Sequence, residues 1–453
     1  GRKIICRRVR VVTASRLPLW AVFLVLIPVI PKVKALSVGS AVILYDDLAL
    51  AVCLAMAIGG ALCHSSVTGK LTIWLPNFAL ILALLVGFKI LDYGVLSIVH
   101  PWIDHKRIGH GVLIHEGALV VAKWCAFLVI ALLLLKFIKS RDHILAILRL
   151  FVVTIVATVS VGLIQLLVLN HRVMTSTFRN IHVLGQPPPH GLGLPDPWWD
   201  PSAVGHEHFG SFMIISSTLL GAFVLSGWPE KSSKRKLTGI ICGASVFSLV
   251  FCSSRGAWIG GVCALSTFLL IAMAKGGLRR LTAAIVIIAV LLAVVEWMLN
   301  LDMFEYVLSR IENLRPLLQG SVIDDSARQR INLLGALWGI YLDNPIWGMG
   351  PGGAGRIAEG QYIRELVEGG IIGLGMFLAL VSSIIHRSFR LYAISGHLMT
   401  RGIGLGLTCG TVGLLGQSFF TELWVLTKVA VPFWILVVLV HRLAYFEANQ
   451  HSP

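Results

Sequence analysis

Acidic residues are scarce in this chain, 22 Asp and Glu against 38 Lys and Arg, and only 13% of its 453 residues carry a charge of either sign. With 56% hydrophobic residues and a mean hydropathy of +0.84, that shortage excludes an ordinary soluble domain and indicates a polytopic membrane protein. The net charge of +16 does not point to nucleic acid, because most basic residues sit in short loops between apolar runs, where they set topology. Paired cysteine spacing is also missing. Cys6, Cys53, Cys63, Cys125, Cys242, Cys252, Cys263 and Cys409 include no CxxC, which excludes a disulfide framework and a cysteine metal site and leaves small core residues. The chain has no HExxH, so a zinc protease of that type is excluded. GPGGAGR at Gly350 to Arg356 lacks the Lys and the Ser or Thr of a phosphate loop and follows a helical pattern, so it reads as a flexible turn closing a helix.

Long apolar runs are what the sequence has in abundance. They occur at about 17–31, 38–60, 72–93, 112–135, 144–169, 207–227, 237–253, 256–274, 281–299, 362–385, 402–420 and 423–441, which predicts an all-α protein of about twelve transmembrane helices. The basic N-terminal stretch GRKIICRRVR precedes an apolar run without a convincing cleavage site and is expected to be a cytoplasmic anchor. With that end inside, Lys136, Lys139, Arg141, Lys231, Lys234, Arg235, Lys236, Lys275, Arg279, Arg280, Arg387, Arg390 and Arg401 all fall in cytoplasmic loops. Lys32, Lys34, Lys106 and Arg107 are the minority on the other side. Both termini are then cytoplasmic, and the two longest loops, 170–206 and 300–361, face the periplasm of a bacterium.

This divides the chain into 1–299, spans one to nine with the loop 170–206; 300–361, a helical loop covering the active site; and 362–453, the last three spans. The loop at 300–361 is the long polar segment of an apolar protein, where a membrane enzyme does or covers its chemistry. Its first helix, about Asp302 to Leu318, repeats Met303, Val307, Ile311, Leu314 and Leu318 and would lie on the membrane surface. The second starts at Asp324 or Asp325 as cap and runs to Leu342, with Ile331, Leu334, Trp338 and Tyr341 as its apolar face.

Arg255, in FCSSRGAW at the outward end of the seventh span, is a functional candidate because an arginine at that depth needs a wet or protein-lined site. Arg328 and Arg330 lie about 200° apart on the loop helix, so only one can point into a site, and Arg330 is nearer the apolar face. Two outward arginines form a fork for phosphate or diphosphate. No DxD-type acidic cluster occurs in the outward loops, so a metal-held diphosphate is not expected, and neither metal nor cofactor is assigned. Trp198 and Trp199, where the first long loop re-enters the membrane, and His206 and His208, flanking Glu207 at the next helix start, are candidate substrate-lining residues, as are Tyr362 and Arg364. Arg364 and Glu368, four apart, are also spaced to pair.

SSRGAW at a helix end, then Arg330 some fifteen residues before NPIWGMGPGG, then EGQYIRELVEGGIIGLGMF opening a span, together resemble the bacterial O-antigen ligase and O-antigen polymerase family over roughly 200–380. The resemblance implies a GT-C-like fold and a metal-independent inverting glycosyl transfer on the periplasmic side of the inner membrane. The implied donor is an undecaprenyl-pyrophosphate-linked oligosaccharide, and the acceptor is either lipid A core or another lipid-linked glycan. Arg255 and Arg330, with Arg328 as the alternative, would hold the donor diphosphate. Ligases carry a His, usually followed by Asn, ahead of the tyrosine; the matching positions are Glu359 and Gly360, before Gln361 and Tyr362. That departure tilts the expectation toward a polymerase of surface polysaccharide and makes Glu359 the candidate base, or else a carboxylate at a helix N-terminus. The competing architecture is a transporter. Against it stand the absence of an internal repeat or matched broken helices, and span midplanes read as free of ionisable residues, with Asp46 and Asp47 near an outward end.

Overall fold

The computed structural model describes residues 17–29, 34–38, 41–65, 77–99, 114–164, 206–252, 254–274, 325–354 and 360–450. In chain order the helices are α1 (Leu19–Leu26), α2 (Tyr45–Ser65), α3 (Asn77–Val99), α4 (Ile114–Phe137), α5 (Arg141–Ile164), α6 (His206–Ser226), α7 (Ser232–Phe251), α8 (Arg255–Ala274), α9 (Asp325–Asp343), α10 (Gln361–Ile394), α11 (Leu398–Gln417) and α12 (Thr427–Gln450). Eight of these described helices are long and apolar enough to cross a membrane: α3 to α6, α8, and α10 to α12. Leucines such as Leu84, Leu91 and Leu270 lie 57%, 62% and 67% exposed on them, a surface that suits lipid and not water. The protein is therefore a polytopic helical membrane protein.

Three expected spans look different. The run at 237–253 lies in α7, which opens with Lys234, Arg235 and Lys236 and is not among the eight. The first apolar run gives only α1 and a 3₁₀ turn, Ile27–Val29, too short to cross a bilayer at about 1.5 Å per residue; Pro28 and Pro31 interrupt the run. The run at 38–60 begins as the second strand of an antiparallel hairpin, β1 (Lys34–Val38) with β2 (Ala41–Leu44), in which Val38 faces Ala41. Gly39 and Ser40 between them are a two-residue turn signature, and Val42 and Ile43 favour extended backbone. The helix therefore starts only at Tyr45. The run at 281–299 and the surface helix at 302–318 lie outside the described residues.

α11 is the centre of the C-terminal bundle, and its glycines let it be so. A Cβ at Gly413 would stand 2.9 Å from the Gly260 carbonyl oxygen of α8, and one at Gly406 would stand 2.8 Å from the Leu219 Cα of α6. Small residues at such crossings let backbones meet where lipid offers no hydrophobic drive for association. α12 is buried almost throughout, with Trp434 edge-on to Trp124 of α4 at 6.5 Å. α6 and α11 run antiparallel: Glu207 opens α6 beside Gln417, which closes α11, while Gly402 near the start of α11 packs on Phe223 and Ser226 near the end of α6.

α10 is broken at Gly370, whose φ of 60° and ψ of −160° leave the helix. The turn after α9, residues 344–354, fills the break. Met349 and Gly350 donate their backbone N–H groups to the Val367 and Glu368 carbonyls at 2.7 and 2.8 Å, and Ile371 donates to the Pro345 carbonyl at 2.9 Å. Non-helical backbone within an apolar protein is tolerated only when its polar groups find such partners. A Cβ on Gly370 would overlap the Ile346 carbonyl. Gly370→Ala is accordingly expected to lower the melting temperature of the detergent-purified protein by the equivalent of about 2 kcal/mol or more. Gly375→Ala, where a Cβ meets nothing within 4 Å, is expected to leave it unchanged or slightly raised.

Candidate functional site

The first two turns of α10 place Gln361, Arg364, Glu365 and Glu368 at positions i, i+3, i+4 and i+7, one face of a helix. That face turns inward, and all four residues are buried. Lys89 of α3, itself only 2% exposed, comes to 2.9 Å from Glu365 Oε2 and 3.9 Å from Glu368 Oε2. Gln361 Nε2 donates to Glu365 Oε1 at 2.9 Å. Arg364 reaches Glu368 at 3.3 Å on one side and, at 2.6 Å, Glu422 of the α11–α12 connection on the other. The backbone N–H of Gly352 donates to Glu368 Oε1 at 3.1 Å, which ties the glycine turn into the same network.

Three further elements reach this end of the bundle. The N–H of Gln361 donates to the Ser418 carbonyl at 2.8 Å. Tyr362 donates its hydroxyl to the Leu415 carbonyl at 2.8 Å and packs on Phe419. Thr421 donates to Glu207 Oε2 at 3.1 Å, and Ser211 of α6 bonds Gln417 at 3.0 Å. The start of α8 abuts the same connection, since a Cβ at Gly256 would lie 3.2 Å from Phe420 Cβ. Ser254 fixes where α8 begins: its hydroxyl accepts the Ala257 N–H at 3.2 Å, a cap on the third turn residue.

The expected site residues distribute as follows. Arg255 is the first residue of α8, and Arg328 and Arg330 lie on α9, but their side chains are outside the described residues, as is that of His206, the first residue of α6. Glu359, Trp198 and Trp199 also lie outside them. His208 is half-buried on α6, and Tyr362 is half-buried at the start of α10. Arg364 and Glu368 do pair, and Arg364 is more deeply engaged than spacing implied, because Glu422 takes its second face. α9 starts and stops within a residue of expectation, but its packed face is Leu337, flanked by Ile340 and Tyr341, whereas Leu334 and Trp338 are half exposed. The helix is apolar on two sides, and only one of them meets protein. The glycine run is a turn, with φ of 77°, 79° and 88° at Gly348, Gly350 and Gly352, and its bonds to α10 hold it in place.

Sequence reasoning missed Lys89 and Glu422, and the statement that the spans lack ionisable residues is corrected by Lys89. It lies within the span Asn77–Gly94 and is compensated by residues 276 positions away in the chain. A lysine inside an apolar run was a sufficient signal. Glu422 sits between spans, and its surroundings differ from those of the deeper groups. Burial pushes its carboxyl up to about 7, while the adjoining Arg364 guanidinium pulls in the opposite direction. Its side chain remains 18% exposed, so it has access to water that Glu365 and Glu368, at 1%, do not.

Removing one partner of a buried ion pair leaves the other uncompensated, at about 3–5 kcal/mol. Lys89→Met is expected to lower the detergent melting temperature strongly, and Lys89→Met with Glu365→Gln to recover a good part of the loss. A double-mutant cycle on thermal unfolding checks this; additive effects would mean the pair is not coupled.

No curated protein matches the chain. Residues 240–378, from within α7 to within α10, match the family model described as O-antigen ligase. That segment contains the start of α8, the whole of α9, the glycine turn and the Arg364–Glu368 face. Over that segment, and not beyond it, the chain is similar to the O-antigen ligase family.

Proposed function

We propose that this protein transfers an oligosaccharide from undecaprenyl pyrophosphate to an acceptor glycan or glycolipid on the periplasmic side of the inner membrane, by metal-independent inverting transfer. The observation that carries the reading is convergence: the start of α8 at Gly256, the turn that follows α9, and the start of α10 lie at one end of the bundle. Arg255 opens α8, Glu359 just precedes α10, and Arg330 stands on α9, the helix that leads into the turn, so the reading draws its residues from three places in the chain. The opposite end holds the basic connections at 227–236 and 387–401, in keeping with a cytoplasmic face there and a periplasmic site here.

Arg255 at the N-terminus of α8 adds a guanidinium to backbone N–H groups already favourable to an anion. Register favours Arg330 over Arg328 as its partner. Position 330 precedes buried Leu337 by two helical turns and so shares the register of the packed face, while position 328 falls roughly opposite, at about 100° per residue. Together they stabilise the charge that grows on the diphosphate as the glycosyl bond breaks. Without the ligase histidine, the acceptor is more in keeping with a second lipid-linked glycan than with lipid A core. For the proton acceptor the sequence alone points to Glu359, and a second carboxylate, Glu422, reaches the same end of the bundle.

Arg255→Ala and Arg330→Ala are each expected to reduce transfer from purified lipid-linked donor by on the order of 10²-fold or more, with normal membrane accumulation. Arg328→Ala is expected to change it little. Full activity in both of the first two variants would remove the proposed diphosphate site. Donor supplied without lipid A core is expected to give lengthened glycan. Product only when core is present would make the enzyme a ligase.

A further inference from the structure

We propose that Glu422 is the group that accepts the proton of the acceptor hydroxyl during glycosyl transfer. The assignment rests on the transferase reading and specifies its acceptor side. In the step, the hydroxyl oxygen bonds to the anomeric carbon, and the bond from that carbon to the diphosphate oxygen breaks with its electron pair. The hydroxyl proton passes to the Glu422 carboxylate, and the lipid pyrophosphate leaves with its negative charge.

Geometry favours Glu422 over Glu365 and Glu368. Glu365 and Glu368 are 1% exposed and held by Lys89 and Arg364, so no substrate hydroxyl reaches them. Glu422 lies on the connection between α11 and α12, with 18% of its side chain exposed. Arg364 fixes it in place at 2.6 Å, much as a positioned partner orients a catalytic base. The neighbouring Thr421 is held by Glu207 of α6, and Phe420 lies against the helix start that carries Arg255. The proton acceptor and the proposed diphosphate grip are thus mounted on adjoining elements.

The charged groups facing Glu422 are Arg364, Glu368 and Glu365 of α10, with Glu207 of α6 behind Thr421. Burial and the two glutamates outweigh the arginine, which places its titration about 7. A base of that strength is ionised for much of the time near neutral pH and still binds a proton well.

The test is a rate–pH profile of the full chain in detergent with a lipid-linked donor. The active form is the carboxylate, so wild-type transfer is expected to fall as the pH drops through about 7. Glu422→Gln keeps an oxygen for Arg364 but is expected to lose on the order of 10²-fold in rate and the acid limb with it. Donor affinity is expected to stay within about a factor of two. Azide attacks without giving up a proton and is expected to restore donor consumption in Glu422→Gln, as glycosyl azide. If Glu422→Gln does not fold, Glu422→Asp is expected to keep the limb and lose about tenfold or more, since a shift of about 1 Å is enough. Wild-type rate in Glu422→Gln or Glu422→Asp, an acid limb that persists in Glu422→Gln, or no azide product overturns the assignment of the base alone. A wild-type protein that elongates no lipid-linked glycan overturns the transferase reading as well.

Discussion

The burial of Lys89 against Glu365 and Glu368 is the constraint around which this end of the molecule is organised. An ammonium group within an apolar span is tolerated only when charged partners meet it there. Those partners stand on a helix that begins more than 270 positions later in the chain, so α3 and α10 have one acceptable register against each other. The same glutamates pass the constraint outward. Glu368 holds the glycine turn through Gly352 and shares Arg364, and Arg364 holds Glu422. A chain of charge-assisted bonds thus joins a span, a broken helix, a turn and an inter-helix connection. Buried pairs of this kind add little net stability, and their value lies in excluding other arrangements.

The break at Gly370 is the backbone counterpart of that network. A continuous α10 would satisfy its own carbonyls and leave nothing for residues 344–354 to bind. Broken, it exposes the Val367 and Glu368 carbonyls, and the turn takes them. Gly117 of α4 completes the fit by letting Pro351 approach where any Cβ would collide. The polar loop that precedes α10 is therefore anchored at its C-terminal end by α3, α4 and α10 together. Whatever the loop covers is presented by a hydrogen-bonded frame.

Much of this was legible in the residues. Most spans show as apolar runs, the extent of α9 from Asp324 or Asp325 to Leu342 as a helical pattern, and the Arg364–Glu368 pair as an i, i+4 spacing. The rest depends on what faces what. Leu334 and Leu337 are equally apolar in sequence, yet one is half exposed and the other 1% exposed, because only the packing against α10 distinguishes them. The hairpin before α2 and the short α1 escape an apolar-run reading, since β-branched and proline-interrupted segments are as hydrophobic as helices. Lys89 was visible as a residue, but its role required its partners, and those are distant in the chain. Glu422 carried no pattern at all.

Charge counting within the network bears on the state of its acids. Lys89 and Arg364 supply two positive charges, while Asp92, Glu365, Glu368 and Glu422 offer four carboxyl groups. The cluster therefore holds more acid than the cations neutralise, and an interior of low polarity resists a full set of ionised carboxylates. Proton exchange is fastest where water enters, and Glu422, held by Arg364, is more open to solvent than Glu365 and Glu368. A network that fixes the register of the bundle through Lys89 can thus change its protonation at Glu422 without dismantling the Lys89 contacts.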